Sequence, residues 1–234
     1  MSQATKTAGL LLFPGLTQLD LTGPYEVLAN LPGWKVEIVA KQAGPVRTAK
    51  GMVIHADQGF DTAPQYDLFA IPGGPGTDDA LTDEATVEFV RRQCEGAENV
   101  FGICTGSLLI GATGLLRGRR AGSHWAARHL LARFGAEVRD ERMTKDGKFY
   151  TAGGVTSGID MALRVVADIA GEEAAQQIQL QIEYDPEPPF RSGTPFTAAP
   201  HILARARAAG EARRPIREAA VEAAAARLAS GTPG

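Results

Sequence analysis

No stretch constrains this chain more than Val100-Phe101-Gly102-Ile103-Cys104-Thr105-Gly106-Ser107. An apolar, β-favouring run ends at Ile103 and a helical run begins at Ser107, with Gly-x-Cys-x-Gly between them. That is the spacing of an elbow that presents a nucleophile between a strand and a helix, here with cysteine in place of serine. The nucleophile of such a turn sits in a strained backbone conformation, and small flanking residues leave room for it. Cys104 is then expected to meet the unpaired N–H groups of a helix start. Those groups favour thiolate over thiol and lower the pKa from its ordinary value of about 8.5. The alternative is an inert, buried cysteine at a tight turn.

The rest of the chain alternates strand and helix patterns. Ala8 to Phe13 is a continuous apolar run closed by Pro14-Gly15, which predicts a buried strand of the parallel type. Pro24 predicts a helix start, with Tyr25, Val27 and Leu28 on its apolar stripe up to Asn30. Trp34 to Ala40 reads as a second strand and residues 44–55 as a small hairpin. Asp67 to Ile71 is another buried strand, ending in Pro72-Gly73-Gly74-Pro75-Gly76. Helices are expected over Glu84–Ala97, Trp125–Phe134, Ser157–Ala170 and Glu172–Ile182, and a hairpin or strand pair over 136–144. A proline-rich loop, Tyr184 to Pro200, precedes two alanine-rich helices within residues 198–229. Those two helices are too short a stretch to make a second fold. The prediction is therefore one α/β domain over residues 1–234, a mostly parallel sheet with helices on both faces. The last two helices are expected to pack on it or across a two-fold interface. Ligand sites in such sheets lie beyond the carboxyl ends of the strands. Residues 14–20, 72–76 and 104–106 should converge there.

Composition narrows the function classes. Hydrophobic residues make up 44% and charged residues 22%, with a net charge of −3, so neither nucleic acid nor anionic membrane is an expected partner. Two cysteines make no disulfide framework and suit a reducing cytoplasm. No segment approaches the roughly 20 apolar residues that span a bilayer. The histidines, His55, His124, His129 and His201, show no metal-ligand spacing, so no metal is predicted. No Gly-x-Gly-x-x-Gly comes after the first strand, so no dinucleotide is implied.

Cys104 is the candidate nucleophile, and Cys94 on a helix face the inert one. The N–H groups of Gly74 and Thr105 are candidates for meeting charge that develops on an attacked atom, with Gly73 beside them. The Thr105 hydroxyl is a further donor, unless it bonds its own backbone at the helix start. Asp20 stands among Leu19, Leu21 and Thr22. Desolvation there raises a carboxyl pKa and suits proton transfer near neutral pH. Its competing role is an N-cap for the helix at Pro24. Glu26, inside that helix, reads as a solvated residue, and His124 as either a cleft or a capping residue.

Five motifs together resemble the ThiJ/PfpI superfamily over nearly the whole chain. They are Phe13–Pro24 (Phe-Pro-x-x-x-x-Leu-Asp-Leu-Thr-Gly-Pro), Ile71–Gly74, Cys104–Ser107, Ser123–Ala126 and Gly153–Asp160. Residues 179–190 and the alanine-rich end are most similar to bacterial isocyanide hydratases. The resemblance implies a flavodoxin-like fold, a homodimer, no cofactor, and hydration of a small-molecule isocyanide by water to an N-formamide. It places the nucleophile on Cys104, the acid/base carboxylate on Asp20 and a supporting role on Thr105. Protease and glyoxalase-type members of the superfamily often carry His after the cysteine, where this chain has Thr105. Regulators of the AraC type share the motifs but continue into a DNA-binding region, and no helix-turn-helix is legible here.

Overall fold

The computed structural model describes residues 5–231; the tail Ser230 to Gly234, which its small and polar residues lead one to expect frayed, lies mostly outside that range. Seven strands form the central sheet in the order β10-β11-β7-β6-β1-β2-β5. They are β1 (Lys6–Leu11), β2 (Trp34–Ala40), β5 (Gln58–Gly59), β6 (Leu68–Ile71), β7 (Asn99–Ile103), β10 (Met143–Asp146) and β11 (Phe149–Ala152). Every pairing is parallel except β10 with β11. The expected hairpin is β3 (Gly44–Arg47) with β4 (Val53–Ala56).

Parallel strands covered on both faces must be apolar throughout, and β6 and β1 from Ala8 onward are wholly buried. Leu10 lies opposite Ile38 on one side and Ala70 on the other. Each fully buried leucine or phenylalanine contributes about 1.5–3 kcal/mol. The helices pack in two groups. On one side α1 (Gln18–Ala29) meets α5 (Ser157–Ala170), which meets α6 (Glu172–Gln181). On the other, α2 (Thr77–Thr82), α3 (Glu84–Gly96) and α4 (Gly106–Ala112) meet one another, and α8 (Arg214–Ser230) packs on α2 and α4. The chain steps outward from β1 to β2 in one direction and from β6 to β7 in the other. Right-handed crossovers then place helices on opposite faces and leave a crevice at the β1/β6 reversal. This is the flavodoxin-like arrangement.

Three local expectations fail. The first helix begins at Gln18, not Pro24, and Pro24 lies in its interior. Proline forfeits one backbone bond there. Its ring packs instead against Gly158 of α5, where an added Cβ would stand 3.1 Å from Pro24 Cγ. Asp20 is thereby carried into the first helical turn. The strand pair over 136–144 does not form. Instead β9 (Glu137–Val138) pairs in parallel with β8 (Arg120–Ala121), and β10 turns back on β11. Finally, Trp125–Phe134 is a set of turns and then a 3-10 helix, Arg128–Phe134, ended by Gly135 at φ 77°.

The alanine-rich end gives two unlike helices. Ala220, Val221 and Ala224 of α8 are buried, whereas α7 (Pro200–Gly210) buries none of its residues. Small alanine faces allow α8 to approach its neighbours closely. No helix among the described residues is long and apolar enough to cross a membrane.

Candidate active site

The three strand-end segments converge as the topology requires. Thr17 N–H donates to Gly73 O at 2.9 Å, Gly76 N–H to Gly15 O at 2.9 Å, and Gly74 N–H to Thr105 Oγ1 at 2.9 Å. Such packing leaves no room for side chains. A Cβ on Gly106 would stand 2.0 Å from Ile71 O. Gly74 adopts φ 136°, and a Cβ there would stand 2.3 Å from Thr17 N. Both positions require glycine.

Cys104 sits at φ 55°, in the left-handed region that a side chain enters only at a cost of order 1–3 kcal/mol. Hydrogen bonds hold it there from both sides. Its N–H donates to Ala152 O at 3.1 Å, and its carbonyl accepts from Ser123 Oγ at 2.6 Å and His124 N–H at 3.3 Å. The strain expected of an elbow is therefore present. Burial works against the expected thiolate. Cys104 is buried, with 6% of its surface exposed, and burial pushes its thiol well above the usual range. The Asp20 carboxylate adds to that rise, while the Thr105 N–H and the charge of Arg217 oppose it. A seven-residue helix start does not outweigh the loss of water.

Asp20 is wholly buried. Thr17, not Asp20, occupies the N-cap position of α1, and the Asp20 side chain leaves the helix for the neighbouring loop. Its Oδ2 accepts the Gly73 N–H at 3.0 Å, and Oδ1 has no hydrogen-bond partner among the described residues. Burial raises its pKa to about 6, partly offset by the Gly73 N–H and the adjacent Cys104 thiol. Thr105 does not bond its own helix. Its Oγ1 accepts from Gly74 N–H and lies 2.8 Å from Thr77 Oγ1. The N–H groups of Gly73 and Gly74 are thus already engaged, one on Asp20 and one on Thr105. Neither can meet developing charge without releasing its present partner.

The rival residues lie elsewhere or carry little charge. Glu26 is exposed on α1. Cys94 is wholly buried in α3 with its thiol pushed up by burial. His124 flanks the elbow, but burial and the charges of Arg217 and Arg128 lower its pKa to about 4. Its Nδ1 accepts from Ala126 N–H, so the neutral ring carries its proton on Nε2. A cavity of about 440 Å³ opens beside it, lined by His124, Trp125, His129, Arg213 and Arg217 among others. Thr77 and Arg217 carried no signal in the sequence. Ser123 was visible only within its Ser-His-Trp-Ala motif.

A model of the DJ-1/PfpI family matches residues 6–168, which include Asp20, Gly73, Gly74, Cys104 and Thr105. The chain belongs to the DJ-1/PfpI family. Among DJ-1/PfpI relatives, the isonitrile hydratase of Pseudomonas putida is 44% identical over 94% of this chain and 96% of its own length. The solved ThiJ/PfpI family protein from Pseudomonas syringae superposes with a TM-score of 0.89 at 36% identity, covering 94% of this chain and 90% of that one. The HTH-type transcriptional regulator CdhR of Pseudomonas aeruginosa is 30% identical over 73% of this chain, but the match takes in 53% of the regulator.

Proposed function

We propose that this protein hydrates isocyanides, R–N≡C, to N-formamides, R–NH–CHO, with Cys104 as nucleophile and Asp20 as the proton carrier. The observation that carries the reading is the pairing of a strained thiol with a buried carboxyl of pKa about 6, in a chain similar over nearly its full length to an isonitrile hydratase.

At neutral pH Asp20 is largely ionised and Cys104 is a thiol. The carboxylate takes the thiol proton as sulfur attacks the terminal carbon of the isocyanide. The same proton passes to that carbon, giving the thioimidate R–N=CH–S–Cys104. Asp20, ionised again, takes a proton from water as its oxygen adds to the carbon and passes that proton to nitrogen. Collapse expels sulfur, which recovers the proton of the added hydroxyl by way of Asp20, and R–NH–CHO leaves. One water is consumed per isocyanide. Nucleophile, acid and base are all side chains, so these steps require no cofactor. Gly73 orients the carboxyl, and Gly74 orients Thr105, which keeps the residue after the nucleophile in register.

The substrate is thus a small uncharged molecule together with water. The reading includes a homodimer in the cytoplasm, with neither nucleic acid nor membrane as partner. Incubation of the purified protein with an alkyl or aryl isocyanide tests it. Formamide should appear at the rate the isocyanide disappears, and neither change should occur with Cys104→Ala. Isocyanide left unconsumed by the wild-type chain would refute the reading.

A further inference from the structure

Asp78 of α2 is buried, and two guanidinium groups hold it, Arg213 Nε at 2.8 Å and Arg217 Nε at 2.7 Å. The two are not equivalent. The Arg213 side chain is 43% exposed and that of Arg217 16%. Arg217 alone of the two reaches on to the elbow, its Nη2 standing 3.5 Å from Gly74 O. The N–H of that same Gly74 donates to Thr105 Oγ1, one residue from the nucleophile. Arg217 also shares the cavity wall with His124, whose N–H donates to Cys104 O.

From this geometry we propose that Arg217 is a positioning residue for the reaction at Cys104. Asp78 fixes its guanidinium against the Gly74 loop, and the fixed positive charge stabilises the sulfur anion as it forms. The proposal deepens the covalent reading above and rests on it. It also gives α8, which lies beyond the residues matched by the family model, a part in the site.

The physical case is that an arginine keeps its charge at all working pH values and that charges act strongly where water is excluded. Cys104 is faced by Asp20 from α1, which opposes thiolate formation, and by the Thr105 N–H and Arg217, which favour it. Arg217 in turn is faced by Asp78 of α2, by Arg213 and by the neutral His124. Asp78 is bonded to both arginines, so losing either one leaves it a cationic partner. A role confined to holding Asp78 would change stability and leave the reactivity of the thiol as it is. A charge acting on sulfur makes that reactivity respond to one of the two losses.

The test is the rate at which iodoacetamide alkylates Cys104, read by peptide mass spectrometry between pH 7 and 9. Asp20 is ionised across that range, and the rate tracks the small thiolate fraction. It needs no isocyanide, so it stands or falls separately from the substrate assignment. Arg217→Gln should alkylate about tenfold more slowly at each pH, the equivalent of about one pH unit in the thiol. Arg217→Lys, which keeps the charge, should stay within about threefold of wild type on the same scale. Arg213→Gln should match wild type. An unchanged rate in Arg217→Gln, or an equal loss in Arg213→Gln, would overturn the proposal. Should Arg217→Gln not fold, the double variant Arg217→Gln/Asp78→Asn leaves no carboxylate unpaired and should show the same slowing. A wild-type rate in that variant would overturn the proposal equally.

Discussion

The Asp20 carboxyl and the Cys104 thiol lie side by side in one buried site, and burial pushes both toward their protonated forms. The consequence is a division of labour. The carboxyl, near pH 6, loses its proton first and then serves as base for a thiol whose ionisation burial opposes. A cysteine exposed at a long helix start would need no such partner.

Activity should depend on the ionisation of Asp20. Since the carboxylate is the form that accepts the thiol proton, kcat/KM should fall as pH drops through about 6. In Asp20→Asn the acid limb should vanish and kcat should drop about 10²–10⁴-fold, the usual range for a general acid–base group. A pH–rate profile of the two proteins checks both.

Stability should move the other way. Asp20 has its pKa raised in the folded state from 3.8 to about 6. The folded chain therefore holds the proton more tightly than the unfolded chain, and stability falls as pH rises between these values. It is flat above and below them. The penalty at neutral pH is about 3 kcal/mol for a shift of some two units. Asp20→Asn should accordingly melt higher than wild type at pH 7, with the difference closing toward pH 4. Parallel melting curves across that range would contradict the burial argument.

The elbow strain can be separated from the chemistry. Cys104→Ala keeps a Cβ at φ 55°, whereas Cys104→Gly removes the conflict. Both should be inactive, and the glycine variant should be about 1 kcal/mol more stable than the alanine variant in chemical denaturation.

Thr105 gives a fourth comparison. Thr105→Ala leaves the buried Gly74 N–H without its acceptor, at a cost of about 1–3 kcal/mol. Thr105→Ser keeps the hydroxyl and should recover most of the stability and the activity. Thermal melts and turnover of the two variants decide the matter.

The sequence carried the sheet and the elbow because both write short-range patterns. Ala8–Phe13, Asp67–Ile71 and Asn99–Ile103 are apolar runs closed by Pro, Gly or the elbow, and all three became neighbouring strands. The convergence of Asp20, Gly73 and Cys104 came from topology alone. The start of α1 did not, since Pro24 argues locally against a helix interior, whereas the burial of Leu21, Val27 and Leu28 and the packing of Pro24 on Gly158 are set by the rest of the fold. At Cys104 the neighbouring residues suggest a helix start that favours the thiolate, while the depth of burial that opposes it belongs to the whole fold. Arg217 was hidden for the same reason: it lies 139 positions from the aspartate that holds it.

The central claim is a covalent bond between Cys104 and the isocyanide carbon. Intact-protein mass spectrometry, after rapid mixing with an isocyanide and acid quenching, tests it most directly. Addition without a leaving group should raise the mass by the full mass of the isocyanide, with the increment mapped to the peptide holding Cys104. Cys104→Ala should show no increment. Formamide produced by the wild-type chain with no adduct at any time, or produced undiminished by Cys104→Ala, would contradict the account.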